Sequence, residues 1–75
     1  MVPMDPVLET FGKTLRRLRE QRGLTQGQLA QKISASRNTI GRIERGEHNP
    51  TLLLLLDIAE ILGVDFNDLV IDCRR

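Results

Sequence analysis

Very little in this sequence can perform covalent chemistry. Cys73 is the one cysteine, so no disulfide can brace the 75 residues from within. His48 is the one histidine, and no Cys/His cluster has zinc spacing. There is no Cys/His nucleophile pair, no metal cluster and no glycine-rich phosphate loop, so neither an enzyme nor a cofactor is expected. Tryptophan and tyrosine are absent. A chain this short buries only about 60% of its unfolded surface. Stability is left to helix packing and to whatever a second subunit adds. The five leucines at 52–56 are too few for a membrane span, and Asp57 and Glu60 interrupt their continuation. Residues 1–7 have neither a basic start nor an apolar run, so no secretory leader and no membrane partner are expected. A single cytoplasmic domain over residues 1–75 is the expectation.

Charge is also scarce in net terms, at +1, but it is divided along the chain. Residues 1–46 carry nine Lys/Arg and four Asp/Glu, net +5. Residues 47–75 carry two Lys/Arg and six Asp/Glu, net −4. This asymmetry points to one face for a polyanion and another for something else.

What the sequence does have is helix punctuation. Leu8, Phe11, Leu15 and Leu18 recur at steps of three and four, which marks an amphipathic first helix opening at Asp5-Pro6. Thr25 and Gln28 form a capping-box pattern for a second helix, with Leu29, Ala30 and Ile33 inward. Ser36 caps a third, and Thr51 caps a fourth after the break at Asn49-Pro50. A short fifth runs from about Asp65 to Ile71. Gly23, Gly46 and Gly63 fall where helices should stop. Nothing reads as a strand, so the predicted class is all-α, a compact bundle of five helices.

The segment 25–46 reads as two helices joined by a tight turn. Advancing about 100° per residue from Arg37 puts Arg37, Asn38, Gly41, Arg42 and Arg45 within about 140° of one another. Ile40 and Ile43 lie opposite. An apolar back with a guanidinium- and amide-bearing front suits the major groove, where arginine pairs with guanine and asparagine with adenine. Gly41 on that front is expected to allow close approach to a groove wall.

These pieces resemble the Xre/Cro-type, lambda-repressor-like helix-turn-helix family. The resemblance rests on Leu15-Arg16-Arg17-Leu18-Arg19, Gly23-Leu24-Thr25-Gln26, Leu29-Ala30, Ser36, Thr39-Ile40, Arg42-Ile43-Glu44-Arg45-Gly46, Asn49-Pro50, Ile58-Ala59 and Leu62-Gly63-Val64. It implies a five-helix domain that binds operator DNA, usually as a two-fold dimer. It implies base contacts from Arg37, Asn38 and Arg42. It implies DNA backbone contacts from Thr25, Gln26, Ser36 and Arg45, and a structural ion pair between Arg19 and Glu44. Two departures stand out. Ser34 replaces a common turn glycine and is costlier in a left-handed backbone. Glu47 stands where some relatives have lysine, and it would repel phosphate.

Five consecutive leucines cannot all face one core. The expected inward stripe is Leu52, Leu55, Leu56, Ala59 and Leu62. A second stripe of Leu54, Ile58 and Ile61 is expected to make a dimer interface within 52–71, joined by Leu69, Val70 and Ile71 from the fifth helix, with Phe66 and Leu69 partly in the core. The alternative is that the helix is buried on two sides within the monomer. The functional expectation is a transcriptional regulator that binds an inverted repeat in double-stranded DNA as a homodimer, with no small-molecule ligand. The alternative is a protein-interaction module, such as an antitoxin or a bridging coactivator.

Overall fold

A computed structural model of the chain describes residues 5–73. Residues 1–4 of the leader reading, and Arg74 and Arg75 of the charge count, lie outside the described residues. Five helices follow in order: α1 Pro6–Gln21, α2 Gln26–Lys32, α3 Arg37–Glu44, α4 Leu52–Leu62 and α5 Phe66–Val70. A 3-10 turn, Ile71–Cys73, continues α5, and no strand occurs among the described residues.

The helices begin where local hydrogen bonds dictate. Asp5 Oδ1 accepts from the Val7 amide at 2.9 Å, and Pro6 occupies the first turn, where its missing N–H costs nothing. Thr25 and Gln28 close a reciprocal capping box, at 3.0 and 2.8 Å. Ser36 accepts from the Thr39 amide and Thr51 from the Leu54 amide. Asp65 starts α5 without a side-chain cap bond. Three helices stop in one way. The amides of Leu24, Glu47 and Val64 reach back five residues to the carbonyls of Arg19, Arg42 and Ala59. The reversal needs a left-handed residue just before each of these, and Gly23, Gly46 and Gly63 supply it at φ 70, 76 and 68°.

The turn between α2 and α3 needs no such residue. Ile33 is extended at φ −132°, and the Ala35 amide donates to the Ile33 carbonyl at 2.9 Å, so Ser34 bears no left-handed strain.

Every helix contributes to one core: Phe11, Leu15 and Leu18; Leu29 and Ala30; Ile40 and Ile43; Ile58, Ala59 and Leu62; and Leu69. Here α4 departs from expectation. Leu52 and Leu56, expected inward, are 62% and 45% exposed, and Leu53 is 74% exposed. Ile58, expected on the dimer surface, is fully buried. Leu69, expected partly in the core, is wholly within it. Leu54, Leu55 and Val70 are half-buried against the core, while Ile61 and Ile71 are exposed. The helix is thus rotated relative to the expected stripe. Asp57 and Glu60 explain the rotation: both stay in water, so the opposite side of the helix goes in. Among the described residues no helix is long and apolar enough to cross a membrane.

Candidate nucleic-acid interface

The orientation of α3 is fixed from behind. Ile40 and Ile43 are 0% and 1% exposed, and turning the helix would drag both into water. Burying such a side chain stabilises by about 1.5–3 kcal/mol. With that face locked, Arg37, Asn38, Arg42 and Arg45 are exposed on the other. A shallow cleft of about 250 Å3 brings together Gln26, Arg37, Asn38, Gly41 and Arg45. Arg42 does not line that cleft.

Gly41 is on this face and buried. A Cβ placed there would lie 3.2 Å from Arg45 Nη1 and 3.4 Å from Gln26 Oε1. The glycine therefore makes room for two side chains of the protein itself.

Beneath the face lies a hydrogen-bonded cluster. Arg19 reaches Glu44 through Nε to Oε2 at 2.6 Å and Nη2 to Oε1 at 3.0 Å. Its remaining nitrogen, Nη1, donates to the Leu24 carbonyl at 2.6 Å. The two side chains are 9% and 3% exposed. The hydrogen bonds with Glu44 hold the Arg19 guanidinium above its ordinary pKa, while burial acts against them. Gln26 also donates to Glu44, Nε2 to Oε1 at 3.1 Å. Glu44 thus joins α1, α2 and α3 at one point. The same junction explains Gly12, whose added Cβ would sit 2.5 Å from the Glu44 carbonyl oxygen and 2.6 Å from that of Ile43. Helices α1 and α3 touch there backbone to backbone.

Neither Gly12 nor the Gln26–Glu44 bond was legible from sequence pattern. Arg22 was not either: its Nε donates to the Leu62 carbonyl at the end of α4, at 2.9 Å. Part of the basic excess of residues 1–46 is therefore spent on architecture, by Arg19 and Arg22. Arg16 pairs with Glu20, and Arg45 with Glu47. Arg37 and Arg42 have no ion-pair partner among the described residues. Thr25 and Ser36 border the same surface and spend their hydroxyl oxygens as caps. Among the described residues no group of acidic, histidine and cysteine side chains is placed to hold a metal.

Comparison with known proteins gives the arrangement its place. The helix-turn-helix family model HTH_3 matches residues 15–69. Over 61 residues the chain is 39% identical to the immunity repressor protein of Bacillus phage phi105, covering 81% of this chain and 42% of that protein. Over 59 residues it is 37% identical to the uncharacterized HTH-type transcriptional regulator y4dJ of Sinorhizobium fredii, covering 79% of this chain and 77% of that one. The restriction-modification controller protein C.AhdI of Aeromonas hydrophila superposes with a TM-score of 0.80 at 37% identity, covering 83% of this chain and 94% of that one. The chain therefore spans under half of the phage repressor and most of the other two. With its capped helix pair, its lambda-repressor-like fold and its basic outer face, the chain belongs to the helix-turn-helix family of DNA-binding transcriptional regulators.

Proposed function

We propose that this chain regulates transcription by binding an inverted-repeat operator in double-stranded DNA as a homodimer, with α3 in the major groove. The observation that carries this reading is the two-sidedness of α3: its isoleucines are sealed, while Arg37, Asn38 and Arg42 stand in solvent. These three are assigned to base edges, where a bidentate pair discriminates by about 1–3 kcal/mol. Thr25, Gln26 and Ser36 border the same face and are assigned to the DNA backbone, which fixes register without reading sequence. Arg45 is assigned by resemblance to the backbone as well.

The dimer surface is assigned to the exposed side of α4, centred on Leu52, Leu53 and Leu56 with Ile61 at its edge. Leu54 and Val70 offer only their outer edges, and Ile58 is withdrawn from the interface because it is core. No ligand is invoked. Control rests on concentration, dimerisation and operator spacing. The proposed location is the cytoplasm, with the DNA.

Selection from a random duplex library at moderate salt tests this reading. The expected product is an inverted repeat, and failure to enrich one would overturn the proposal. The same exposed leucines favour a second reading, a protein-interaction module. Co-purification of a stoichiometric unlike partner, with weak DNA affinity for the chain alone, would favour it.

A further inference from the structure

We infer that Arg45 reads a guanine in the major groove rather than gripping the DNA backbone, and that Glu47 is the residue that positions it. The inference rests on the DNA-binding reading above and changes the role of one side chain within it.

The geometry begins at Gly46. Its left-handed backbone reverses the chain, and the Glu47 amide closes on the Arg42 carbonyl at 2.8 Å. The reversal brings the Glu47 carboxylate back to the end of α3. There it accepts from Arg45 Nε at 3.0 Å and from Nη2 at 3.4 Å. A carboxylate that occupies this edge of a guanidinium leaves the far edge free, with both hydrogens of Nη1 and one of Nη2. The Nη1 end of the guanidinium lies back over the helix. Arg45 Nη1 and Gln26 Oε1 both lie within 3.4 Å of one point above Gly41, the middle of the outer face. The guanidinium therefore lies back over the preceding turn, in the cleft shared with Arg37 and Asn38. It does not project beyond the end of α3.

Three features combine. Gly41 leaves the space, since any side chain there would press on Nη1. Glu47 holds the fork and by its charge disfavours a phosphate at that end of α3. The free edge offers two parallel donors, the pattern that matches O6 and N7 of guanine. The pair is half exposed, with side chains 56% and 50% accessible, so Glu47 orients the arginine without adding much stability.

The test compares selections for wild type, Arg45→Ala, Arg45→Lys and Glu47→Gln, each first shown to fold by its thermal melt. If wild type enriches an inverted repeat, the DNA-binding reading stands and Arg45 is judged separately. Arg45→Ala should then lose preference at one G·C pair per half-site, by roughly 5- to 150-fold. Its binding to random duplexes should fall far less. Arg45→Lys should not restore the preference, because an ammonium lacks the fork. Glu47→Gln should flatten the same position while strengthening binding to random duplexes. A backbone role for Arg45 predicts something else: equal losses on selected and random DNA, an unchanged base profile, and a salt slope shallower by about 0.9. That result would overturn the inference while leaving the operator reading intact. An unchanged profile in Glu47→Gln would remove Glu47 as the positioning residue.

Discussion

Glu44 and two mid-helix glycines show how individual residues divide the work. Glu44 receives Arg19 and Gln26 together, with almost no access to water. Replacing it with alanine would leave the Arg19 guanidinium buried with the Leu24 carbonyl as its remaining acceptor. Removing one partner of a buried pair costs about 3–5 kcal/mol. Urea unfolding of Glu44→Ala should show a loss of that size, and a loss under about 1 kcal/mol would show that the pair is dispensable. Gly12 and Gly41 respond in opposite directions. At Gly12 a methyl group meets two backbone carbonyls that cannot move aside, so Gly12→Ala should destabilise by about 1–3 kcal/mol. At Gly41 the obstacles are the far ends of two long side chains, and alanine brings a helix-propensity gain of about 1 kcal/mol. Gly41→Ala should therefore melt no lower than wild type yet show an altered operator preference. A lowered melting temperature would mean that Gln26 and Arg45 cannot yield. Cys73 is half-buried beside Asp72, and burial first, then that carboxylate, raises its thiol pKa. At pH 8 the folded chain should react with iodoacetamide more slowly than the unfolded chain, since the thiolate is the nucleophile. Equal rates would contradict the protected environment.

At the scale of the element, legibility follows the range of the interaction that decides each feature. The caps at Thr25, Ser36 and Thr51 and the stops at Gly23, Gly46 and Gly63 are closed by bonds spanning three to five residues. Such bonds are written in adjacent letters, so the helix order was readable. The outer face of α3 was readable for the same reason, because Ile40 and Ile43 mark its back. Helix α4 carried no such contrast in its first turn, where leucine occupies every direction. Its phase was recoverable only from Asp57 and Glu60, which lie near 140° and 80° when Leu52 is set at about 0°. The direction opposite both falls between Leu62 and Leu55, where the core lies. The Gln26–Glu44 and Arg22–Leu62 bonds span 18 and 40 residues, and no local pattern encodes them. The corrected phase makes a sharp prediction for α4. Ile58→Glu should unfold the chain, because the carboxylate would enter the core. Leu53→Glu should leave the helical circular dichroism intact and yield monomers in sedimentation. A dimer unchanged by Leu53→Glu would remove α4 from the interface.

The molecule as a whole measures 29 × 25 × 21 Å, and this size constrains how it can meet DNA. Recognition helices of a two-fold pair that enter successive major grooves on one side of the duplex sit about 34 Å apart. One copy of these dimensions covers one half-site and cannot reach the other, while a second copy seated against α4 can. In the proposed dimer the basic half, with α3, would serve DNA, and the acidic half, with the exposed leucines, would serve the other subunit. Affinity for a complete operator should consequently depend on half-site spacing, which no single-subunit contact can sense. Inserting about 5 base pairs between half-sites turns them to opposite faces of the duplex, given a helical repeat near 10.5. A dimer built on α4 should then bind the altered site no better than an isolated half-site, and inserting about 10 base pairs should leave it nearly as weak, since the span grows by another 34 Å. Leu53→Glu should bind all three sites alike, because monomers ignore spacing. Gel-shift titrations of the three duplexes with wild type and Leu53→Glu give six isotherms. Wild type indifferent to the 5-base-pair insertion would show that each copy binds alone, and the exposed leucines of α4 would then have to face a partner other than a second copy of this chain.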